Sequence, residues 1–171
     1  MKNLILVFLI VFTFLGCDQK KETSIDKVTI KASVNKVLND WHKAASEADY
    51  KKYFSKMDSI SVFIGTDATE NWNKEQFQKY SKPHFDKGKA WSFTTLERNI
   101  FVSKRGGFVW FDELLNTQMG TCRGSGVLEK TNNSWAIKHY VLSIEIPNDN
   151  INAVIEAKKK NDSIFLQKFH K

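Results

Sequence analysis

Residues Thr121 to Ser143 constrain this chain more than any other stretch. They read TCRGSGVLEK, TNNS and WAIKHYVLS, two strand-forming runs joined by Asn132-Asn133, a pair that tolerates the positive φ of a two-residue type I′ turn. An isolated hairpin is marginal in water, so further strands or a covering helix must accompany it. The preceding residues provide strands. Trp91–Val102 and Phe108–Asn116 are separated by Ser103-Lys104-Arg105-Gly106-Gly107, and Thr117-Gln118-Met119-Gly120 leads into the hairpin. Four long antiparallel strands are therefore expected, the last running from Trp135 to Ile146, with Pro147-Asn148-Asp149 ending the sheet and capping a final helix.

The N-terminal half carries a helical period. Ile30, Val34, Val37, Leu38, Trp41, Ala45 and Ala48 share one face of a long amphipathic helix. Asp49 reads as the N-cap of a short second helix bearing Tyr50, Tyr53, Phe54 and Met57. Ser59–Gly65 alternates as a strand, and Thr66–Trp72 is a polar loop with one aromatic. Asn73 and Gln76 have capping-box spacing for a third helix carrying Phe77 and Tyr80, which Pro83 is expected to end. The last helix has Ile151, Val154, Ile155, Phe165, Leu166 and Phe169 as its apolar positions, and Lys158-Lys159-Lys160 as a solvated face. This order predicts an α+β fold, a curved antiparallel sheet wrapped by the N-terminal helices, plus a C-terminal helix. Strong curvature makes a cone whose open end is a pocket.

The leader sets the expected address. After Met1-Lys2-Asn3, the apolar run Leu4–Phe14 has the length of a signal-peptide core and is too short for a permanent membrane span. Phe14-Leu15-Gly16-Cys17 followed by polar residues resembles a bacterial lipobox, with Phe14 where leucine is usual. The resemblance implies a signal peptide over 1–16, lipidation of Cys17, a polar tether over 17–24 and a lipid-anchored protein of the bacterial cell envelope, periplasmic or surface-facing. Domain boundaries follow at 25–148 for the folded unit and 149–171 for the terminal helix. Cys122 is then a lone thiol, read as a small buried strand residue. The chain has 26 Lys+Arg against 19 Asp+Glu, a net charge of +7, but only three of the cations are Arg and the lysines are spread along the chain. A solvated basic surface near anionic lipid fits this better than nucleic-acid binding, which relies on clustered arginine.

The hairpin register yields a set of inward side chains. Pairing Thr131 with Ser134 places Leu128 opposite Ile137, Gly126 opposite His139 and Gly124 opposite Val141. Trp135, Ile137 and His139 then stand beside glycines on one face, leaving room for a helix or a ligand. If Glu113 lies opposite Arg123 on the outer face, Trp110 and Asp112 point inward, and Arg98 sits opposite Asp112. The pocket set is Trp41, Arg98, Trp110, Asp112 and His139. Asp112 and His139 are the candidate general acid/base pair; the competing reading is an Arg98–Asp112 ion pair with His139 hydrogen-bonded in the core.

FIGTDATENW at 63–72, WFDELL at 110–115, CRGSGVL at 122–128 and WAIKHY at 135–140 resemble the SnoaL-like branch of the nuclear-transport-factor-2-like superfamily over Ile25–Asn148. The resemblance implies a cone with a cavity at its mouth and homodimers through the outer sheet face. The superfamily holds isomerases, dehydratases and cyclases, and also members that only bind or oligomerise, so fold alone assigns no activity. Three readings follow: a small, partly apolar ligand bound in the cone; an isomerase, dehydratase or cyclase using Asp112 and His139; and a non-catalytic dimeric module. No phosphate loop, dinucleotide fingerprint, nucleophile elbow or metal-ligand spacing occurs, so neither a cofactor nor a metal is expected.

Overall fold

The computed structural model describes residues 25–88, 90–132 and 134–169. The expected leader, the Cys17 lipidation site and the tether lie outside the described residues. Helix α1 (Lys27–Ser46) begins where the Asp26 carboxylate accepts from the Val28 and Thr29 amides, each at 3.0 Å. It buries Val34, Val37, Leu38, Trp41, Ala44 and Ala45. Asp49 caps α2 (Tyr50–Ser55) by accepting from the Lys52 amide at 3.0 Å. Strands β1 (Met57–Ile64) and β2 (Asn71–Asn73) precede α3 (Lys74–Asp86), which opens on the Asn73/Gln76 capping box. Four long strands follow: β3 (Phe93–Val102), β4 (Phe108–Thr117), β5 (Gly120–Lys130) and β6 (Trp135–Ile144).

The six strands form one curved sheet in the order β2-β1-β6-β5-β4-β3. Every neighbouring pair is antiparallel except β1 with β6, which run parallel. Helix α1 packs across the concave face, and α2 and α3 close its side. The core is unusually aromatic. Trp41 stacks on Tyr53 at 5.0 Å between ring centroids and meets Tyr140 edge-on at 4.8 Å, while Phe63 stacks on Phe77 at 4.0 Å. Such pairs each contribute roughly 0.5–1.5 kcal/mol beyond the area they bury.

Local expectations fail at four places. Met57 opens β1 instead of closing α2, and Asn71-Trp72 belong to β2 instead of a loop. Pro83 lies inside α3 and does not end it. Its missing N–H falls in the last turn, and burial of Phe77, Ser81 and Phe85 along one helix face holds that turn in place. Helix α4 (Ile151–Leu166) follows a 3-10 turn at Asn148–Asn150, so its N-cap is Asn150, just past the expected Pro147-Asn148-Asp149; no residue of α4 is buried.

Two register differences matter more. Strand β6 carries an extra residue, Lys138, so Leu128 faces Ile137 while Val127 faces His139. Beyond this bulge Gly126 faces Tyr140 and Gly124 faces Leu142. A bulge exchanges the faces of everything after it, so Tyr140 points inward and His139 outward. In the β4–β5 pair Glu113 lies opposite Gly124, not Arg123, because Thr117 pairs with Gly120 around a two-residue loop. The Thr117 hydroxyl closes that loop by donating to the Gly120 carbonyl at 2.9 Å, and Gly120 adopts φ 84°. Glu113 and Phe111 are therefore interior, and Trp110 and Asp112 exterior.

Candidate functional site

The cone interior contains two distinct places. Deep between α1 and the sheet lies a buried polar network. Glu113, with no exposed surface, receives His42 Nε2 on Oε1 at 2.8 Å and the Tyr140 hydroxyl on the same oxygen at 3.1 Å. Its Oε2 pairs with Arg98, which approaches through Nε at 2.8 Å and a terminal nitrogen at 2.7 Å. The other guanidinium N–H groups go to Asn35 Oδ1 at 2.5 Å, Asn39 Oδ1 at 2.7 Å and Thr95 Oγ1 at 2.9 Å. Arg98 thus donates to four side-chain acceptors besides its second charge contact with Glu113. Burial acts to raise the Glu113 pKa, but the hydrogen bonds and charges of His42 and Arg98 outweigh it and hold the carboxyl below its ordinary range. The Tyr140 hydroxyl is pushed well above the usual tyrosine range by burial, and further by the adjacent Glu113 charge.

The glycines expected to leave a gap do not line one. A Cβ on Gly124 would overlap the Tyr140 hydroxyl and lie 2.8 Å from Tyr140 Cζ. A Cβ on Gly126 would lie 2.9 Å from Phe111 Cε1. The space over the hairpin is filled by Tyr140, Glu113 and Phe111.

The open site is at the other end of the sheet from the β3–β4 turn. A cavity of about 140 Å3 lies between the end of β1, the β4–β5 turn, the end of β6 and α3. Phe63, Trp72, Phe77, Tyr80, Trp91 and Phe93 form its walls. Their rings stack in sequence, with Trp72 at 4.4 Å from Tyr80 and 5.5 Å from Phe77, and Phe77 at 5.7 Å from Trp91. Thr66, Glu70 and Gln118 give the rim its polar groups. The Glu70 carboxylate is folded back over Gly65 and accepts from the Asp67 amide at 3.2 Å. Partial burial, aided by the Glu70 charge, raises the Tyr80 pKa. An apolar, ring-walled recess of this size accommodates one flat ring or a comparable aliphatic group.

The sequence-derived site residues are dispersed. Trp41 is buried at the base of the cone and closes it from below. Arg98 is interior but paired to Glu113, its direct neighbour across β3–β4, and not to Asp112. Trp110 is half-exposed on the outer face, stacked on Phe101 at 5.7 Å. Asp112 is also outside, accepting from Asn99 Nδ2 at 3.0 Å and lying 3.7 Å from Arg123. His139 is outside through the Lys138 bulge. Asp112 and His139 therefore do not share the cone. Sequence reasoning missed His42, Glu113 and Tyr140, and also the ring wall of the mouth. His42 had a legible signal, because Val34, Leu38 and His42 repeat every four residues on the buried stripe. Among the described residues no group of three or more His, Cys, Asp or Glu side chains is arranged to hold a metal.

Solved structures share this architecture at low identity. A nuclear-transport-factor-2-like protein of unknown function from Pseudomonas putida superposes with a TM-score of 0.61 at 9% identity, covering 72% of this chain and 92% of that one. A candidate dehydratase of the same family from Streptomyces avermitilis gives 0.61 at 10% identity, covering 70% and 99%. A candidate scytalone dehydratase from Novosphingobium aromaticivorans gives 0.60 at 6% identity, covering 70% and 86%. At these identities the likeness is one of fold. No curated protein matches the chain by sequence. A family model for the SnoaL-like domain matches residues 34–147, which run from within α1 to just past β6 and include both interior sites. This chain belongs to the SnoaL-like domain family.

Proposed function

We propose that this protein is a lipid-anchored envelope protein whose cone mouth holds a small, flat, partly apolar molecule. One observation carries the reading: the mouth is walled by six aromatic rings, while its rim carries a single carboxylate, Glu70. Ring walls bind by contact area and stacking, and the rim groups Thr66, Glu70 and Gln118 orient one polar substituent. The acyl groups on Cys17 would hold the domain at the membrane through the tether.

The competing reading is a dehydratase- or isomerase-type enzyme, favoured by the names of two structural neighbours. It cannot use Asp112 and His139 as a pair within the cone, and it would leave Glu70 as the acid/base group at the mouth.

Mass spectrometry of small molecules retained by the purified protein separates these readings. Trp72→Ala is expected to lose a molecule that wild type retains, whereas His139→Ala keeps it. Retention by Trp72→Ala, or loss from His139→Ala, would overturn the mouth as the binding site. Release of the added molecule with altered mass, abolished by Glu70→Gln, would establish the enzyme instead. For the anchor, Cys17→Ser is expected to move the protein from the membrane to the soluble fraction; continued lipid labelling of that variant overturns the assignment.

A further inference from the structure

The end of the domain opposite the mouth has a composition that the ligand site does not use. Ile25 and Ile30 close over Gly106, with Ile25 Cγ2 at 3.0 Å from where a Cβ would stand, so the start of α1 is fixed against the β3–β4 turn. The Lys130 amide donates to the Gly107 carbonyl at 2.9 Å, which brings the β5–β6 hairpin to the same end. Lys27, Lys31, Lys104, Arg105 and Lys130 are all exposed there. None of them forms an ion pair among the described residues. Two carboxylates at this end are already engaged: Asp26 caps α1, and Glu129 receives Lys138 at 2.9 Å.

Interleaved with the cations are apolar side chains that the fold leaves in solvent. Val28 is 80% exposed, Phe108 and Trp110 49% and Phe101 44%. Phe101 and Trp110 face each other across β3–β4 and stack, and Phe101 lines one groove with Lys31. Aromatic rings set among unpaired lysines match the chemistry of a phospholipid surface, where rings sit at headgroup depth and cations meet anionic phosphates.

We propose that this basic, aromatic end docks on an anionic phospholipid surface. The inference rests on the lipid-anchored reading above, because the chain leaves the domain at this end. From Ile25 to Cys17 are eight Cα steps, which span at most about 29 Å when fully extended. The tether therefore keeps this end of the domain within about 29 Å of the bilayer. A second copy is a poorer occupant. Next to the aromatic corner the outer sheet face turns polar, with Asp112, Asn99, Arg123 and Glu145 bonded to one another, and a sheet-to-sheet partner would have to bury that group. Docked in this way, the domain turns its mouth, with Glu70 on the rim and Asp67 beside it, toward the aqueous compartment.

The test uses the full chain reconstituted in vesicles of phosphatidylethanolamine with phosphatidylglycerol, or of phosphatidylcholine alone. Nitroxides are placed on Thr131→Cys, at the docking end, or on Asp67→Cys, at the mouth; Cys122 is buried and does not compete for label. Flotation with either vesicle reports the anchor, and access of a water-soluble relaxation agent to the nitroxide reports docking. On phosphatidylglycerol vesicles the Thr131→Cys label is expected to be shielded and the Asp67→Cys label open. On phosphatidylcholine, or after Lys104→Glu, Arg105→Glu and Lys130→Glu together, both are expected to be open while the protein still floats. Each reversal is expected to weaken docking about fivefold or more. Equal access at both positions on phosphatidylglycerol overturns the proposal, as does shielding that ignores lipid charge and follows protein concentration, the result for a second copy. If the chain does not float, the anchor reading fails. Co-sedimentation of that unanchored protein with phosphatidylglycerol vesicles then decides the surface alone: charge-dependent binding sustains it and absence of binding ends it.

Discussion

The Tyr140 hydroxyl donates to Glu113 Oε1 at 3.1 Å in the space that a side chain on Gly124 would occupy. The glycine, the tyrosine and the acid are one packing unit, assembled from three strands. Gly124→Ala therefore forces the ring and the carboxylate apart. The expected loss of stability is about 1–3 kcal/mol, read as a lower urea midpoint. Adding Tyr140→Phe to Gly124→Ala is expected to return part of that loss, since the hydroxyl is the nearest obstruction. A neutral Gly124→Ala would show that the unit is not packed as described.

Among the described residues, Glu113 is the only carboxylate paired with a buried guanidinium. Glu113→Gln leaves Arg98 ionised between α1 and the sheet, which is expected to cost about 3–5 kcal/mol. Arg98→Met tests the same pair from the other side and is expected to destabilise comparably, leaving the acid without its guanidinium and held only by His42 and Tyr140. Equilibrium unfolding of both variants checks this, and values under about 1 kcal/mol would place the pair effectively in solvent.

The same carboxylate sets an acid limit. Its folded pKa lies below the ordinary 4.5, because His42 and Arg98 outweigh burial. Between the folded and unfolded values the unfolded chain binds more protons, so stability rises with pH. The contribution is complete above about the ordinary glutamate value and is lost as pH falls below it through the folded value. Unfolding free energies of wild type and Glu113→Gln are expected to converge in acid and to be furthest apart at neutral pH. A constant gap across that range would contradict the linkage.

Two tryptophans are expected to behave oppositely. Trp41 is enclosed by Tyr53, Phe63 and Tyr140, and Trp41→Ala is expected to cost about 3–5 kcal/mol. Trp110 touches Phe101 on the outer face, and Trp110→Ala is expected to cost less than about 1.5 kcal/mol. Thermal unfolding of the two variants gives the comparison directly.

The Tyr53 hydroxyl is buried and, among the described residues, makes no hydrogen bond of good geometry, although the Trp91 side chain is close enough to oppose part of the effect of burial on it. Burial pushes its pKa well above the tyrosine range. Tyr53→Phe keeps the ring stacks and removes the unsatisfied group, so it is expected to be neutral or stabilising by about 1–3 kcal/mol. A clear destabilisation would reveal a partner for the hydroxyl.

What could be read from the sequence divides along the range of the interactions involved. Asp26, Asp49 and the Asn73/Gln76 box act on amides within a few residues, so helix starts are written locally, and the strand alternation of 93–144 is equally local. Facing is not. On β4 the odd positions Val109, Phe111 and Leu115 are as apolar as the even positions Phe108, Trp110 and Leu114, so periodicity alone cannot choose between them. The choice falls to the Thr117–Gly120 turn, where one residue of slip exchanges Asp112 for Glu113. The bulge at Lys138 is longer-ranged still: its side chain is held by Asp58 at 3.2 Å and Glu129 at 2.9 Å, partners from two other strands. The mouth was only half legible. FIGTDATENW carries Phe63, Glu70 and Trp72, all on the cavity wall, yet it was legible only as a marker of resemblance.

The Lys138 bulge also bears on how this strand should be aligned and engineered. The group that meets the Glu113 carboxylate from β6 is chosen by residue count as well as by residue type. Deleting Lys138 would remove the bulge and leave the Tyr140 phenol facing in, opposite Gly126, and the His139 imidazole facing out, with no substitution at either position. In relatives shorter by one residue here, a gap placed at Lys138 keeps the inward tyrosine aligned with Tyr140, whereas a gap placed further along β6 would align it with an outward residue.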